Sequence, residues 1–328
     1  MGTWIADELG EGYEQLIIPL GTDPDGEGTI DATLVRRTPP TSVEAAVIYV
    51  HGFSDYFFQT ELADFFTERG FAFYALDLRK CGRSRRDGHT GHFVSDLSLY
   101  DTELEKALAI VKEETGGKPV VVSGHSTGGL ILSLWLDRLN RRPGGTVGAG
   151  IVGMVLNSPW FDLQGKAWMR SVGTKAIAGV AKVKPTTPIN LPPSDAYGTS
   201  LHVSAHGEWE FNTTFKPLNG FPVTFGWLTA IRRGHSQLHQ GLDVGVPSLV
   251  LRSSRTVFAR TWSEAVDEAD AVLDVKQIAR WAGCLGGALT SLPIEGAKHD
   301  VFISKDEPRK AAYAAVDAWL RSTALIPS

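Results

Sequence analysis

The sequence predicts an α/β fold: a mostly parallel eight-stranded sheet with helices on both faces and a helical insertion. Three observations predict it. Continuous β-branched runs such as "AAVIYV" and "KPVVVSG" suit strands buried on both faces. Segments of helical spacing separate them, closed by short glycine-marked loops, the pattern of parallel strands joined by crossover helices. One long stretch, from about residue 160 to 246, breaks the alternation. With 328 residues, 43% of them apolar, the chain can bury one large core and still carry such an insertion.

In order, "YEQLIIPL" and "GTIDATLVRR" flank the turn-rich "GTDPDGEG" and form a hairpin. The strand "AAVIYV" leads to a helix in "FFQTELADFFTERG" that stops at Gly70. Next come the strand "FAFYALDL", the helix "LSLYDTELEKALAIVKEETGG", the strand "KPVVVSG", the helix "TGGLILSLWLDRLNRR" and the strand "GIVGMVLNSP". The core is then expected to pause, giving three parts: 1–159, an insertion at 160–246, and 247–328. Within the insertion, Leu163, Trp168, Val172, Ala176, Val180 and Val183 fall at helical spacing, a Pro-rich stretch follows, and "FPVTFGWLTAIRRGHSQLHQGL" is again helical. A long strandless insertion in a compact domain suggests a lid over a site. The sheet resumes with the strand "VPSLVLRSS", the helix "VLDVKQIARWAGCLGG", the strand "ALTSLPIEG" and a closing helix in "DEPRKAAYAAVDAWLRSTA".

Composition narrows the function. A net charge of −5 leaves no basic footprint for nucleic acid or anionic lipid. Cys81 and Cys284 are far apart and form no CxxC pair, so neither a zinc knuckle nor a disulfide framework is expected. The acidic "MGTWIADELGEGYEQ" lacks the basic and apolar regions of an export signal, and no apolar run is long enough to span a bilayer. The expectation is a cytoplasmic protein without stable membrane insertion, as monomer or homodimer.

The chemistry concentrates at "VVVSGHSTGGLILSL". Gly124-His125-Ser126-Thr127-Gly128 is a G-x-S-x-G between a predicted buried strand and a predicted helix, the context of a nucleophile elbow. Such a turn strains the serine backbone and lifts its hydroxyl to the carboxyl edge of the sheet, against the positive end of a helix dipole. A nucleophilic serine needs a base and an oxyanion hole. His299, between the last strand and the last helix, is the candidate base. The backbone N–H groups of Phe53, after the His51-Gly52 turn, and of Thr127 are the candidate oxyanion donors. His51 and His125 are expected to hydrogen-bond locally. His235 and His239 have the i, i+4 spacing of metal ligands but no third ligand nearby, so no metal is expected. No phosphate-cradling glycine motif is present. The aromatic insertion suggests an apolar pocket, with Trp160, Phe161 and Trp227 as candidate lining residues.

These motifs together resemble the α/β-hydrolase superfamily and, within it, the monoglyceride lipase, lysophospholipase and serine aminopeptidase-like branch. The resemblance rests on "VIYVHGFSDY", "ALDLRKCGRS", "VSGHSTGG", "LNSPWFDL" and "EGAKHDVF", and runs from about Ala45 to the end. It implies the α/β-hydrolase fold and ester hydrolysis through an acyl-enzyme, with no metal or organic cofactor. The apolar insertion and the neutral-to-acidic surface favour a small or medium apolar ester as substrate, of monoacylglycerol or lysophospholipid type. Two departures stand out. Lys80 and Cys81 replace the usual glycine and its neighbour. The stretch Arg252 to Arg255, where the family's acid is expected, holds no carboxylate. Asp270, followed by Asp274 at the family's D-x-x-x-D spacing, is the first candidate for the acid; Asp274 and Asp162 are the alternatives. An amide or lactone hydrolase would use the same groups, and a slow or inactive ligand-binding protein could retain the fold.

Overall fold

The computed structural model describes residues 2–164, 179–192 and 194–325. Its centre is a nine-stranded sheet in the order β1-β2-β3-β5-β4-β6-β7-β8-β9. The strands are β1 (Ile5–Ala6), β2 (Tyr13–Thr22), β3 (Thr29–Arg37), β4 (Ala45–Val50), β5 (Phe71–Asp77), β6 (Val120–His125), β7 (Ile151–Asn157), β8 (Ser248–Ser253) and β9 (Leu289–Ile294). The eight expected strands are all present, and the ninth is the two-residue edge strand β1. From β5 across to β9 every neighbouring pair is parallel, whereas the opening hairpin and its junction with β5 are antiparallel.

Strand burial follows from this position. Every residue of β4, β5 and β6 is buried, because each central strand has helices over both faces. Alternate side chains divide between two cores. On one face Ala46, Ile48, Val50, Val120 and Val122 meet helix α2 (Asp101–Glu114), helix α3 (Thr127–Asn140) and the helix Phe225–Leu238. On the other, Val47, Tyr49 and Val121 meet helix α1 (Thr60–Thr67) and the helix Asp306–Ser322. The glycines expected to stop helices do so, with Gly70 at φ 81° and Gly117 at φ 78° in the left-handed region.

Between β7 and β8, the described residues include helices Ala196–Leu201 and Phe225–Leu238. Trp168, Val172 and Ala176, half of the apolar series expected there, lie outside the described residues. Val180 and Val183 are exposed. His235 and His239 anchor the second helix. Their Nε2 atoms lie 2.9 Å and 2.8 Å from the Trp160 and Phe161 carbonyl oxygens, so each ring donates there. Among the described residues no cluster could hold a metal ion, and no helix is long and apolar enough to cross a membrane.

This anchor is pH-sensitive. Burial, and next the Arg232 guanidinium against Nδ1, push His235 well below its ordinary protonation range. A histidine that resists protonation only when folded contributes stability that is complete above about pH 6.5 and is lost as pH falls below it. The loss is about 1.4 kcal/mol per pH unit from this group alone. Urea titrations at pH 7.5 and 5.5 should show a steeper acid-side loss for wild type than for His235→Gln, which keeps a donor and an acceptor but cannot charge.

Candidate active site

Ser126 occupies the turn between β6 and α3 with φ 52° and ψ −115°, a strained conformation for a non-glycine residue. Its neighbours hold the turn from both sides. Ser126 N–H donates to the Asn157 carbonyl (2.9 Å), while the Ser126 carbonyl accepts from Gly129 (3.0 Å) and Trp160 (3.0 Å). The flanking glycines are required by close approach. A Cβ at Gly128 would lie 2.4 Å from the Val50 carbonyl oxygen, and one at Gly124 would lie 2.9 Å from the Gly128 carbonyl carbon. Because the obstacle at position 128 is backbone of a central strand, Gly128→Ala should destabilise the fold by at least about 3 kcal/mol, measured by chemical denaturation.

His299 lies in the loop after β9, with Nε2 3.0 Å from Ser126 Oγ and Nδ1 2.8 Å from Asp270 Oδ2. All three residues are buried, Asp270 completely. The other Asp270 oxygen accepts from the backbone N–H of Val272 (2.8 Å) and Leu273 (2.7 Å), which fixes the carboxylate plane. Asp270 reaches this point by a detour. After β8 the chain runs outward through the short helical turn Glu264–Glu268 and returns to pair Asp270 with Thr256. Asp270 N–H donates to the Arg255 carbonyl at 2.9 Å, and Val257 N–H to the Asp270 carbonyl at 3.0 Å. The lengthened connection thus closes on itself and returns a carboxylate to the end of β8.

The two alternative acids are engaged elsewhere. Asp274 caps the helix Val275–Ala282, accepting from Lys276 N–H at 3.0 Å. Asp162 accepts from Leu163 N–H (2.8 Å) and pairs with Arg232 (2.9 Å).

Phe53 and Thr127 bracket the serine. The turn Gly52-Phe53 abuts it so closely that a Cβ on Gly52 would lie 3.1 Å from Ser126 Cβ. Thr127 opens α3, where a helix has no internal acceptor for its first N–H groups. Among the described residues neither the Phe53 nor the Thr127 N–H has an acceptor, so both are available to a developing oxyanion. His51 holds the turn locally: Nδ1–H donates to the Gly52 carbonyl (2.7 Å) and Nε2 accepts from Leu78 N–H (3.1 Å).

The three aromatic residues proposed as lining lie at different depths. Half-buried Trp160 packs on Trp227 at 5.6 Å between ring centroids, and Trp227 packs on half-buried Phe53 at 4.0 Å, forming a wall beside the serine. Phe161 is fully buried, and Trp227, 2% exposed, belongs to the same core cluster. The departures at Lys80 and Cys81 also have a structural account. Lys80, at φ 59°, takes the left-handed conformation and buries its ammonium against Asp23 (2.6 Å) and Glu27 (2.8 Å) of the hairpin loop. Cys81 Sγ lies 3.2 Å from His92 Nδ1.

Two groups of residues escaped the sequence reading. Asp300, next to His299, accepts from the Asn157 (2.6 Å) and Gln59 (3.2 Å) side chains and from Phe302 N–H (3.0 Å), which holds the His299 loop on the end of β7 and the start of α1. Asp55 gathers His125 and Lys216 beside the serine. Asp55 and Asp300 each stand next to a motif, which was a usable signal; Lys216 carries none.

Residues 41–261 match the hydrolase family described as serine aminopeptidase, S33. Among solved structures, the chain is similar to a soluble variant of monoglyceride lipase from Saccharomyces cerevisiae in complex with a substrate analog, at 17% identity over 98% of this chain and 95% of that one, with a TM-score of 0.65. It is similar to a highly thermostable carboxyl esterase from Bacillus coagulans in complex with glycerol, at 14% identity over 94% and 98%, with a TM-score of 0.62. A third is the monoacylglycerol lipase of Paleococcus ferrophilus, at 16% identity over 89% and 98%, with a TM-score of 0.60. At these identities the likeness is one of fold, and the family match spans well over half of the chain. The protein belongs to the serine aminopeptidase, S33, family and has the α/β-hydrolase fold.

Proposed function

We propose that the protein is a serine hydrolase that cleaves carboxylic esters of small or medium apolar acyl groups, of the monoacylglycerol or lysophospholipid type, through an acyl-enzyme. The observation that carries this reading is the continuous chain from Ser126 Oγ to His299 Nε2 (3.0 Å) and from His299 Nδ1 to Asp270 Oδ2 (2.8 Å), beside two backbone N–H groups that have no acceptor among the described residues.

The steps follow from those atoms. His299 Nε2 takes the Ser126 proton as Oγ bonds to the ester carbonyl carbon, and the carbonyl oxygen, now an oxyanion, accepts from Phe53 and Thr127 N–H. Asp270 holds the proton on Nδ1 and stabilises the imidazolium. As the C–O bond to the alcohol breaks, His299 returns the proton to the leaving oxygen. A water then attacks the acyl group by the same route, giving the acid and free Ser126. The wall of Trp160, Trp227 and Phe53 supports an apolar acyl group over a charged one.

A series of p-nitrophenyl esters from acetate to laurate tests this. A pre-steady-state burst of one equivalent, with kcat/KM highest for short or medium chains, is expected; absence of a burst on every ester would reject the acyl-enzyme. The family's description as a serine aminopeptidase favours amide cleavage as a second reading. Amino-acid p-nitroanilides turned over faster than matched esters would establish it.

A further inference from the structure

Beside the proposed nucleophile lies a second buried histidine–carboxylate pair. Asp55 follows the turn that carries Phe53, and only 1% of it is exposed. Its Oδ2 lies 3.1 Å from His125 Nδ1 and 3.4 Å from Gly52 N, and its Oδ1 lies 2.7 Å from Lys216 Nζ. Lys216, 6% exposed, comes from the segment between β7 and β8, and its ammonium sits within 6 Å of the rings of Phe58, Tyr197 and Phe211. His125 immediately precedes Ser126, its ring 4.9 Å from that of His299. Its Nε2 is buried and has no partner among the described residues.

The bonding fixes which nitrogen of His125 donates. An ionised Asp55 accepts, so Nδ1 bears a hydrogen. A second proton on Nε2 would be a buried donor with no acceptor, and its charge would face the His299 imidazolium that forms in every turnover. Lys216, with Nζ 2.7 Å from Oδ1, already balances the carboxylate. Burial alone would raise the Asp55 carboxyl, but the Lys216 ammonium and then the His125 hydrogen bond hold it well below the ordinary carboxylate range.

We propose that Lys216 is a positioning residue for the reaction, acting through Asp55: it neutralises the buried carboxylate so that His125 stays an uncharged donor beside His299, and it ties the segment between β7 and β8 to the turn that presents Phe53. This rests on the roles given above to Ser126 and His299. The other titratable groups around the pair come from four directions. His299 and Asp270 stand on one side, Tyr197 and Asp300 on a second, His51 and Tyr49 at the end of β4, and His92 after β5. None of these is a cation that could replace Lys216 without changing its own charge.

In Lys216→Met, His125 should take up the balancing proton. The kcat/KM for p-nitrophenyl butyrate should then fall much more at pH 6 than at pH 9, by about tenfold or more in the ratio of the two losses. Lys216→Arg should restore the wild-type profile. The double variant Asp55→Asn with Lys216→Met, which has no buried charge to balance, should show similar losses at both pH values. An equal loss at every pH in Lys216→Met would reduce Lys216 to a structural tether and overturn the proposal.

A second readout needs no turnover. Two-bond ¹H–¹⁵N correlation of the histidine side chains, with His125 assigned by loss of its signals in His125→Gln, should give a neutral ring protonated at Nδ1 in wild type at pH 7.5. It should give an imidazolium in Lys216→Met at pH 6.5. A wild-type His125 protonated at Nε2 would overturn the proposal even if Lys216→Met does not fold. A wild type inactive on all esters would instead reject the hydrolase reading, with the His125 spectra still deciding the charge balance.

Discussion

Ser126→Ala should abolish ester hydrolysis while leaving the fold intact, lowering kcat by about a millionfold. The size follows from the division of labour in the site. Without Oγ there is no acyl-enzyme, and His299 and Asp270 have no serine proton to move, so their contribution is lost with it. The proposed oxyanion donors and the rest of the site remain, so a small residual rate over water should survive. The change is expected to be safe for folding. Among the described residues the hydroxyl partners His299 alone, and the strained φ of 52° relies on bonds from backbone atoms. A thermal denaturation midpoint at or slightly above that of wild type, with no burst on p-nitrophenyl butyrate, is the expected pair of results.

Asp270→Asn should lower kcat by about ten-thousandfold with little change in KM. The Asp270 carboxylate receives three hydrogen bonds among the described residues, from Val272 N–H and Leu273 N–H at one oxygen and from His299 at the other. An asparagine can offer only one oxygen. The two backbone donors claim it, because an amide NH₂ turned toward them would leave three buried donors without acceptors. The NH₂ then faces His299 Nδ1, which must accept, so the ring proton moves to Nε2. In that tautomer the nitrogen 3.0 Å from Ser126 Oγ cannot take the serine proton. Asp274→Asn should cost only helix stability, about 1 kcal/mol for a lost N-cap charge, with kcat unchanged. An Asp274 variant slower than the Asp270 variant would reverse the assignment.

How far the fold was legible depended on local physics. The central strands could be read because burial on both faces forces uninterrupted apolar runs, as in Ala45–Val50. Helix ends could be read where glycine alone tolerates the required φ, as at Gly70. β1 could not, because two paired residues leave no periodicity to detect. Trp160 and Phe161 are chemically alike in sequence, yet Trp160 is half-buried against Trp227 while Phe161 is fully buried in the core. Much of the expected helical series between residues 163 and 183 lies outside the described residues.

The site divided the same way. Ser126, His299, Phe53 and Thr127 could be picked out as candidates because an elbow, a loop after the last strand and a His-Gly turn each leave a local signature. Asp270 was reachable through its spacing to Asp274, although nothing local shows that the long connection after β8 folds back through the pairing of Thr256 with Asp270. Lys216 was invisible. Its partner Asp55 is 161 positions away, and a lysine among asparagine, threonine and phenylalanine reads as surface until the chain closes over it.

The central claim is that Ser126 is the nucleophile of an acyl-transfer site, and covalent capture tests it most directly. Wild type and Ser126→Ala would be treated with a fluorophosphonate, followed by intact-mass measurement and peptide mapping. The expected result is one adduct per chain on the peptide containing Gly124-His125-Ser126-Thr127-Gly128, abolished in Ser126→Ala and slowed in Asp270→Asn. Wild type that gains no adduct, or gains it on another residue with Ser126→Ala labelled equally well, would contradict the account.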